Sequence, residues 1–204
     1  MKRKTLDMIL TAGGAVLVVV FVVAGALGLW GYSFANSNVH NQLAQQNITF
    51  PSKAAFAHAK AGTEITPSMI PSVSQYAGEQ LLTGRQAEAY ANDFIAVHLQ
   101  GIGHGQTYSQ VSAAAMKLPR GSAAYTAKEA EAQTLFQGTT LRGLLLEAYA
   151  FWTMGQIALW ASVVAFVLAG VMLVLTALGV LHLRRVPAEE EFPRHAVRVA
   201  SASA

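Results

Sequence analysis

The chain has 204 residues, of which 53% are hydrophobic and only 12% are charged, and its formal net charge is +3. An ordinary globular domain is about 45–50% apolar and about 25% charged, so this composition indicates a membrane protein. Cysteine is absent, which excludes both disulfide bonds and a lipid-modified cysteine.

Two long stretches without charged residues predict two transmembrane helices. The first runs from Met8 to Trp30 and the second from Trp160 to Leu181. Each holds the roughly 20 apolar residues that are needed to cross the hydrocarbon core of a bilayer. The sequence therefore predicts an all-α membrane protein, in which two transmembrane helices flank a mainly helical domain.

Basic residues next to both predicted spans indicate the topology. Lys2, Arg3 and Lys4 precede the first span, and Arg184 and Arg185 follow the second. Lys and Arg near membrane ends favour the cytoplasmic side. We therefore expect a plasma-membrane protein with residues 1–7 and 182–204 in the cytoplasm and residues 31–159 outside it.

A cleaved secretory signal is the alternative interpretation of the first span. The small residues Ser33 and Ala35 stand where a signal peptidase would inspect the chain. However, the apolar core of a signal peptide is only about 7–15 residues long, and this one is longer. The length favours an uncleaved anchor.

The segment between the spans carries seven basic and seven acidic residues, so its net charge is zero. A neutral domain offers no basic face for nucleic acid, and no nucleic-acid partner is expected. The positive charge of the chain resides mainly in the two ends, which could contact anionic lipid. The lipid bilayer is thus the first expected partner.

The first predicted span is expected to continue outward as helix until the sequence NITFPS, where Pro51 breaks it. Pro67 and Pro71, among Ser and Thr residues, then indicate a loop. The clearest periodic pattern follows, with Thr83 as N-cap. One face of this predicted helix carries Ala87, Tyr90, Ala91, Phe94, Ile95, His98 and Ile102.

Three glycines end that helix in the prediction, because glycine readily adopts the left-handed conformation of a C-terminal cap. They are Gly101, Gly103 and Gly105, and they place His104 in the turn. Thr107 and Gln110 then stand three residues apart, as in a capping box, and predict the start of the next helix. The stretch is thus explained as helix, turn and helix.

A further helix is predicted from Tyr125 to Gln137, and Gly138 is expected to end it. Thr140 could then cap a last helix that begins at Leu141 and continues through the second span. From Leu141 to Leu181 that helix would be about 60 Å long, roughly twice the hydrocarbon thickness. Its first half must therefore stand outside the membrane.

No constellation of residues indicates catalysis or metal binding. His40, His58, His98 and His104 lack the spacing of a metal-binding pair, and nothing resembles an activated nucleophile or a phosphate-binding loop. We expect no catalytic residue, no metal and no cofactor. A small-ligand pocket between the outer helices is the alternative, and Tyr90, Phe94 and His98 would line it.

Aromatic and small residues suggest how the helices sit in lipid and pack together. Aromatic and basic side chains at the membrane interface are expected to anchor the helices. Small residues four apart allow helix backbones to approach closely, within a hairpin or a homodimer. The expected anchors are Trp30, Trp152, Trp160, Arg184 and Arg185, and the expected packing residues are Ala24, Gly28, Ala161, Ala165 and Ala169.

Four blocks between the spans carry a resemblance. In order they read NITF, AEAYANDFIAVHL, GQTYSQVS and QTLFQGTTLRGLLLEAYAFW. They resemble a group of uncharacterised actinobacterial membrane proteins, some of which carry the automated name aromatic ring-opening dioxygenase. The resemblance implies a two-helix membrane protein with no established catalytic residues. Ring-opening dioxygenases of the extradiol type need iron held by two His and a carboxylate, and no such set is visible.

Two functions follow as expectations. The first is a membrane-anchored module of the cell envelope that binds another membrane or envelope protein, or a second copy of itself. The neutral outer segment and the lack of reactive residues favour it. The second is a small-ligand sensor with its pocket between the outer helices. The polar tail after Arg185 is too short for an output domain, which weighs against a self-contained sensor.

Overall fold

The computed structural model describes residues 3–185. The described chain is about 81% helical and contains no strand. Two long helices dominate, α1 (Arg3–Gln46) and α7 (Ala123–Arg185). Both are long and apolar enough to cross a membrane. The predicted all-α class with two candidate membrane helices is confirmed.

Short helices connect α1 to α7. They are α2 (Lys53–Ala57), a 3-10 turn at Pro67–Met69, α3 (Ile70–Val73), a 3-10 turn at Ser74–Tyr76, α4 (Gly84–Ala89), a π-helical segment at Tyr90–Ile95, α5 (Ala96–Ile102) and α6 (Tyr108–Ala115). Contacts divide the chain into two compact units. Within the described residues, unit 1 comprises residues 3–30 and 159–185, and unit 2 comprises residues 31–158.

In unit 1 the two helices run antiparallel in direct contact. An ideal Cβ placed on Gly25 would lie 2.9 Å from the Phe166 ring. At the other end of the pair, one placed on Gly179 would lie 2.7 Å from the hydroxyl of Thr11. Hydrogen atoms at these glycines therefore permit a separation that any larger residue would prevent, as expected for helices that pack in lipid.

Apart from Leu6 and Leu159, the less exposed residues of unit 1 recur at alternating spacings of three and four. This spacing is typical of helices that pack at a small left-handed angle. On α1 they are Asp7, Thr11, Gly14, Val18, Phe21, Gly25 and Gly28, and on α7 they are Ser162, Ala165, Ala169, Met172, Thr176, Gly179 and Leu183. The hydroxyl of Ser162 is buried in this contact and donates a hydrogen bond of 2.5 Å to the Gly25 carbonyl.

Unit 2 has its own hydrophobic core. The core joins the C-terminal part of α1 (residues 31–46), the short helices and the N-terminal part of α7 (residues 123–158). Its buried members are Val39, Leu43, Phe50, Phe56, Ile65, Met69, Val73, Leu81, Ala87, Ala91, Ile95 and Leu145. A smaller cluster of Val111, Ala132 and Leu135 holds α6 against α7. These contacts give unit 2 a packed interior without disulfides.

The predicted helix ends around the glycine turn are confirmed. Thr83 and Gln86 form a capping box at the start of α4, and Thr107 and Gln110 form another at the start of α6. His104 lies in the turn between α5 and α6 with a φ of 51°. The predicted continuation of the first apolar stretch as helix beyond Trp30 is also confirmed, since α1 continues to Gln46.

The predicted break at Gly138 is wrong, because α7 passes through it without interruption. The separate helix from Tyr125 to Gln137 and the cap at Thr140 therefore do not exist. Gly138 faces Leu99 of α5, and an ideal Cβ at this position would approach the Leu99 Cγ to 3.3 Å. Here glycine serves close packing between helices, which outweighs its low helix propensity.

The π-helical segment Tyr90–Ile95 lies where the sequence predicted regular α-helix. Such segments insert one extra residue per turn, so they rotate the side chains that follow relative to a regular helix. Asn92 lies within it, and its side-chain oxygen accepts a hydrogen bond of 2.8 Å from Arg142 on α7. The segment thus links the short helices to α7.

Candidate functional site

The C-terminal part of α1, residues 31–46, presents two neighbouring rows of side chains. Ala35, Val39 and Leu43 are spaced four apart and are buried in unit 2. The next row, also spaced four apart, begins with an aromatic side chain and continues with three amides. Its members are Phe34, Asn38, Gln42 and Gln46.

The N-terminal part of α7, residues 123–158, supplies the facing wall. Phe151 contacts Phe34 edge-on, with ring centroids 6.4 Å apart, and Gly155 lies against Ala35. Moving toward the start of α7, the apolar side chains Ala148, Leu144 and Leu141 follow at helical spacings of three and four. The two walls are thus antiparallel helices of unit 2.

A groove of about 440 Å³ lies between these walls. Buried Val39, Leu43 and Leu145 form its floor. Its rim is apolar and open to solvent, with Leu144 59% exposed. Exposed apolar side chains that line a concave surface commonly mark a binding site for another molecule.

The groove also carries one acidic side chain. Glu147 lines it, is exposed, and forms no ion pair within residues 3–185. The amides of Asn38, Gln42 and Gln46 provide hydrogen-bond donors and acceptors along the opposite wall. The groove can therefore accept an apolar surface that also bears polar groups and a positive charge.

The residues proposed from the sequence as a ligand pocket lie together, but they pack on one another. Ring centroids are 4.7 Å apart for Tyr90 and Phe94, and 4.5 Å apart for Phe94 and His98. Tyr90 also contacts Phe50 edge-on at 5.3 Å, and His98 Nδ1 lies 2.8 Å from the Phe94 carbonyl oxygen. The three side chains form a stack on the core of unit 2.

Burial affects the pKa of Tyr90. Desolvation, and to a smaller extent the negative charge of Glu64, raise the pKa of Tyr90 above 10.0. The phenol is therefore held neutral, as a packing group. Its environment is that of a core side chain, which agrees with its contacts to Phe50 and Phe94.

The tryptophans expected at the membrane interface differ in their surroundings. Trp30 and Trp160, both in unit 1, are 66% and 69% exposed. Trp152 belongs to unit 2 and is half-buried. Gly84 packs against it, and the Arg85 guanidinium lies 5.9 Å from its ring centroid. The Trp152 indole is thus engaged by protein contacts.

The small residues expected to pack the membrane helices fall into two groups. Ala169 is buried, and Gly28 and Ala165 are half-buried, so these three lie in the contact between α1 and α7. Ala24 and Ala161 are exposed. The closest contacts between the two helices are at Gly14, Gly25 and Gly179, which do not form a four-residue repeat and were not predicted.

Potential metal ligands are dispersed in the part of the chain that the structure describes. Within residues 3–185 no three His, Asp or Glu side chains are close enough to share a metal ion. At the end of unit 1, Asp7 lies 3.8 Å from His182, and Arg184 and Arg185 are exposed nearby in the sequence. The groove of α1 and α7 is therefore the candidate functional site.

The row of amides on α1 was the sequence signal that could have located the groove. Their spacing of four beside a buried row marks a polar stripe at the edge of a packed face. The exposed leucines of α7 gave no such signal, because Leu144, Leu145 and Leu146 are consecutive and so mark no single face of the helix.

No protein-family model, curated protein or solved structure matches this chain. The resemblance to the actinobacterial group stays a prediction. The chemistry of the groove is therefore the basis on which a function can be assigned.

Proposed function

We propose that this chain is a membrane-anchored accessory module whose outer unit binds an amphipathic helix of another membrane or envelope protein in the groove between α1 and α7. The observation that supports it most is the exposure of Leu141, Leu144 and Phe151 along one wall of a groove with an apolar floor. Such a surface is stabilised when a partner covers it.

The groove also indicates the character of the partner helix. An apolar face would cover the leucines, while amide hydrogen bonds would form with Gln42 and its neighbours. A Lys or Arg on the partner would pair with Glu147, which is the only charged residue of the lining. Charge pairs of this kind contribute more to the choice of partner than to affinity.

Membrane insertion through α1 and α7 is part of the proposal. The antiparallel packing of unit 1 brings Lys4 to the same end as Arg184 and Arg185, and this end would be cytoplasmic under the positive-inside rule. Trp30 and Trp160 would lie at the opposite interface. Unit 2, with equal numbers of acidic and basic residues, would then face the outside.

The test is site-specific photo-crosslinking in intact cells. A photoreactive amino acid replaces Leu144 in the groove, and in a matched control it replaces Met116, which is 78% exposed and lies outside the groove. Position 144 is expected to yield one discrete crosslinked protein and position 116 none. A crosslink between two copies of this chain would contradict binding of a different protein and would identify a second copy of the chain as the occupant of the groove.

Substitution then measures the contribution of the groove. Leu144→Ala removes three carbons, worth about 0.8 kcal/mol each on full burial. Because 59% of Leu144 is available to a partner, the substitution is expected to remove about 1.4 kcal/mol of binding free energy. This loss corresponds to a complex that is about tenfold weaker. Met116→Ala is expected to leave recovery of the crosslinked partner unchanged. Equal recovery with Leu144→Ala and the unaltered chain would refute the docking proposal.

A further inference from the structure

A second cleft in unit 2 lies on another side of α7 from the groove. It has a volume of about 470 Å³ and is bordered by α5, by the turn before α6, by the first residues of α6 and by α7. Leu135 and Leu99 supply apolar surface, and Thr139, Gln106 and Thr107 supply polar groups. The groove and this cleft share no lining residue.

Arg142 gives this cleft its charge. It lines the cleft, and no Asp or Glu lines it. Within residues 3–185 Arg142 forms no ion pair, and its side chain donates a hydrogen bond to a neutral amide, the Asn92 side chain. A guanidinium that is held by a neutral partner keeps its full positive charge available.

One nitrogen of Arg142 is left without a partner. Its Nε is buried and donates no hydrogen bond within the described chain. A buried charged donor without an acceptor is costly, so such groups usually have a ligand, an ion or a water as partner. Here the unmatched donor belongs to Arg142, the only charged residue among those that line this cleft.

We propose that this cleft binds a small molecule through an oxyanion group, either a carboxylate or a phosphoryl group, with Arg142 as its main donor. Arginine pairs with both groups through paired N–H donors. The hydroxyl of Thr139 and the side-chain amide of Gln106 supply further hydrogen-bond donors, while Leu99 and Leu135 suit a short apolar portion. The site is separate from the docking groove, and it does not depend on the proposed partner.

The test uses the full chain purified in detergent. Binding of sodium phosphate, sodium acetate and sodium succinate is measured by titration calorimetry at constant ionic strength, with sodium chloride as the reference salt. Saturable binding of phosphate alone assigns a phosphoryl ligand, and binding of acetate or succinate alone assigns a carboxylate. Binding of both classes leaves the shared oxyanion chemistry as the specificity. If none of the three anions binds above the chloride reference, the proposal is overturned.

Three variants locate the binding. Arg142→Gln is expected to raise the dissociation constant about tenfold or more, since hydrogen bonds to charged groups are strong. Arg120→Gln removes the same charge from an exposed loop and is expected to bind like the unaltered chain. Thr139→Trp fills the cleft from an exposed helix position and retains Arg142, so it checks the result if Arg142→Gln does not fold. Unchanged binding by Thr139→Trp, or by a folded Arg142→Gln, would refute the proposal.

Discussion

Gly84 offers a sharp test of how unit 2 is packed, because it lies directly against Trp152 of α7. An ideal Cβ on Gly84 would lie 2.5 Å from the Trp152 Cγ and 3.0 Å from its Cδ2. These atoms are close to the backbone of a long helix, and they cannot move away as the end of a flexible side chain could. Gly84→Ala must therefore shift α4 away from α7.

The expected cost follows from this overlap. Forcing one extra carbon into a packed core usually destabilises by about 1–3 kcal/mol. The helix propensity of alanine offsets at most about 1 kcal/mol, and less at the first turn of α4. We therefore expect a net loss of about 1–2 kcal/mol in the free energy of unfolding.

Gly143→Ala is the matched control, since it makes the same change in the interior of α7. An ideal Cβ at Gly143 meets no atom within 4 Å, and the residue is exposed. Without a steric penalty, alanine is expected to stabilise by about 0.5–1 kcal/mol. The two substitutions should thus shift stability in opposite directions.

The assay is thermal unfolding of the full chain in detergent, followed by circular dichroism and by tryptophan fluorescence. For a chain of this size each kcal/mol corresponds to about 2–4 °C in Tm. Gly84→Ala is expected to lower Tm and Gly143→Ala to raise it slightly. If both variants raised Tm by the same amount, the contact between α4 and Trp152 would be refuted.

Two further predictions concern unit 1 and the aromatic stack. Ser162→Ala removes the hydrogen bond to the Gly25 carbonyl. Because such a bond between membrane helices contributes about 0.6–1.7 kcal/mol, the free energy of unfolding is expected to fall by this amount in mixed detergent micelles. An unchanged free energy of unfolding would contradict the contact. The raised pKa of Tyr90 contributes stability that is complete below pH 10.0 and is lost as pH rises through the folded-state pKa, because the unfolded state ionises first. Tyr90→Phe should flatten this loss in unfolding measured across alkaline pH, and an unchanged slope would rule out Tyr90 as its source.

Much of the architecture could be predicted from local sequence. Hydrophobic length identified both long helices, since about 20 apolar residues leave few other choices. The capping boxes at Thr83 and Thr107 were predictable because a threonine and a glutamine three residues apart satisfy each other's backbone groups. Both features depend on residues that are close together in the chain, so a single sequence is enough to predict them.

Other features depend on contacts between distant residues. Gly138 is indistinguishable from a helix-ending glycine until Leu99, which packs against it, is known. The π-helical segment at Tyr90–Ile95 has no sequence signature, and Asn92 gains its role only through Arg142, 50 residues later in the chain. Tertiary contacts decided both positions, so the sequence alone predicted a helix end at Gly138 and regular α-helix at Tyr90–Ile95.

The candidate sites show the same division. Tyr90, Phe94 and His98 were correctly placed on one face by helical periodicity, but periodicity does not reveal that neighbouring rings fill the space between them. The groove and the Arg142 cleft arise where helices from different parts of the chain meet. The residues that line each of them are of common types, so only the fold shows which residues lie together around the groove and which around the cleft.

The proposed topology is the central claim, and the absence of cysteine allows a direct test of it. Single cysteines are introduced at Met116 in unit 2 and at Thr5 near the start of α1, both of which are exposed. A membrane-impermeant maleimide is then applied to intact cells and to lysed cells.

Met116→Cys is expected to react in intact cells, and Thr5→Cys only after lysis. Labelling of Thr5→Cys but not Met116→Cys in intact cells would contradict the account, because unit 2 would then face the cytoplasm. Recovery of the chain in the aqueous fraction would contradict it as well.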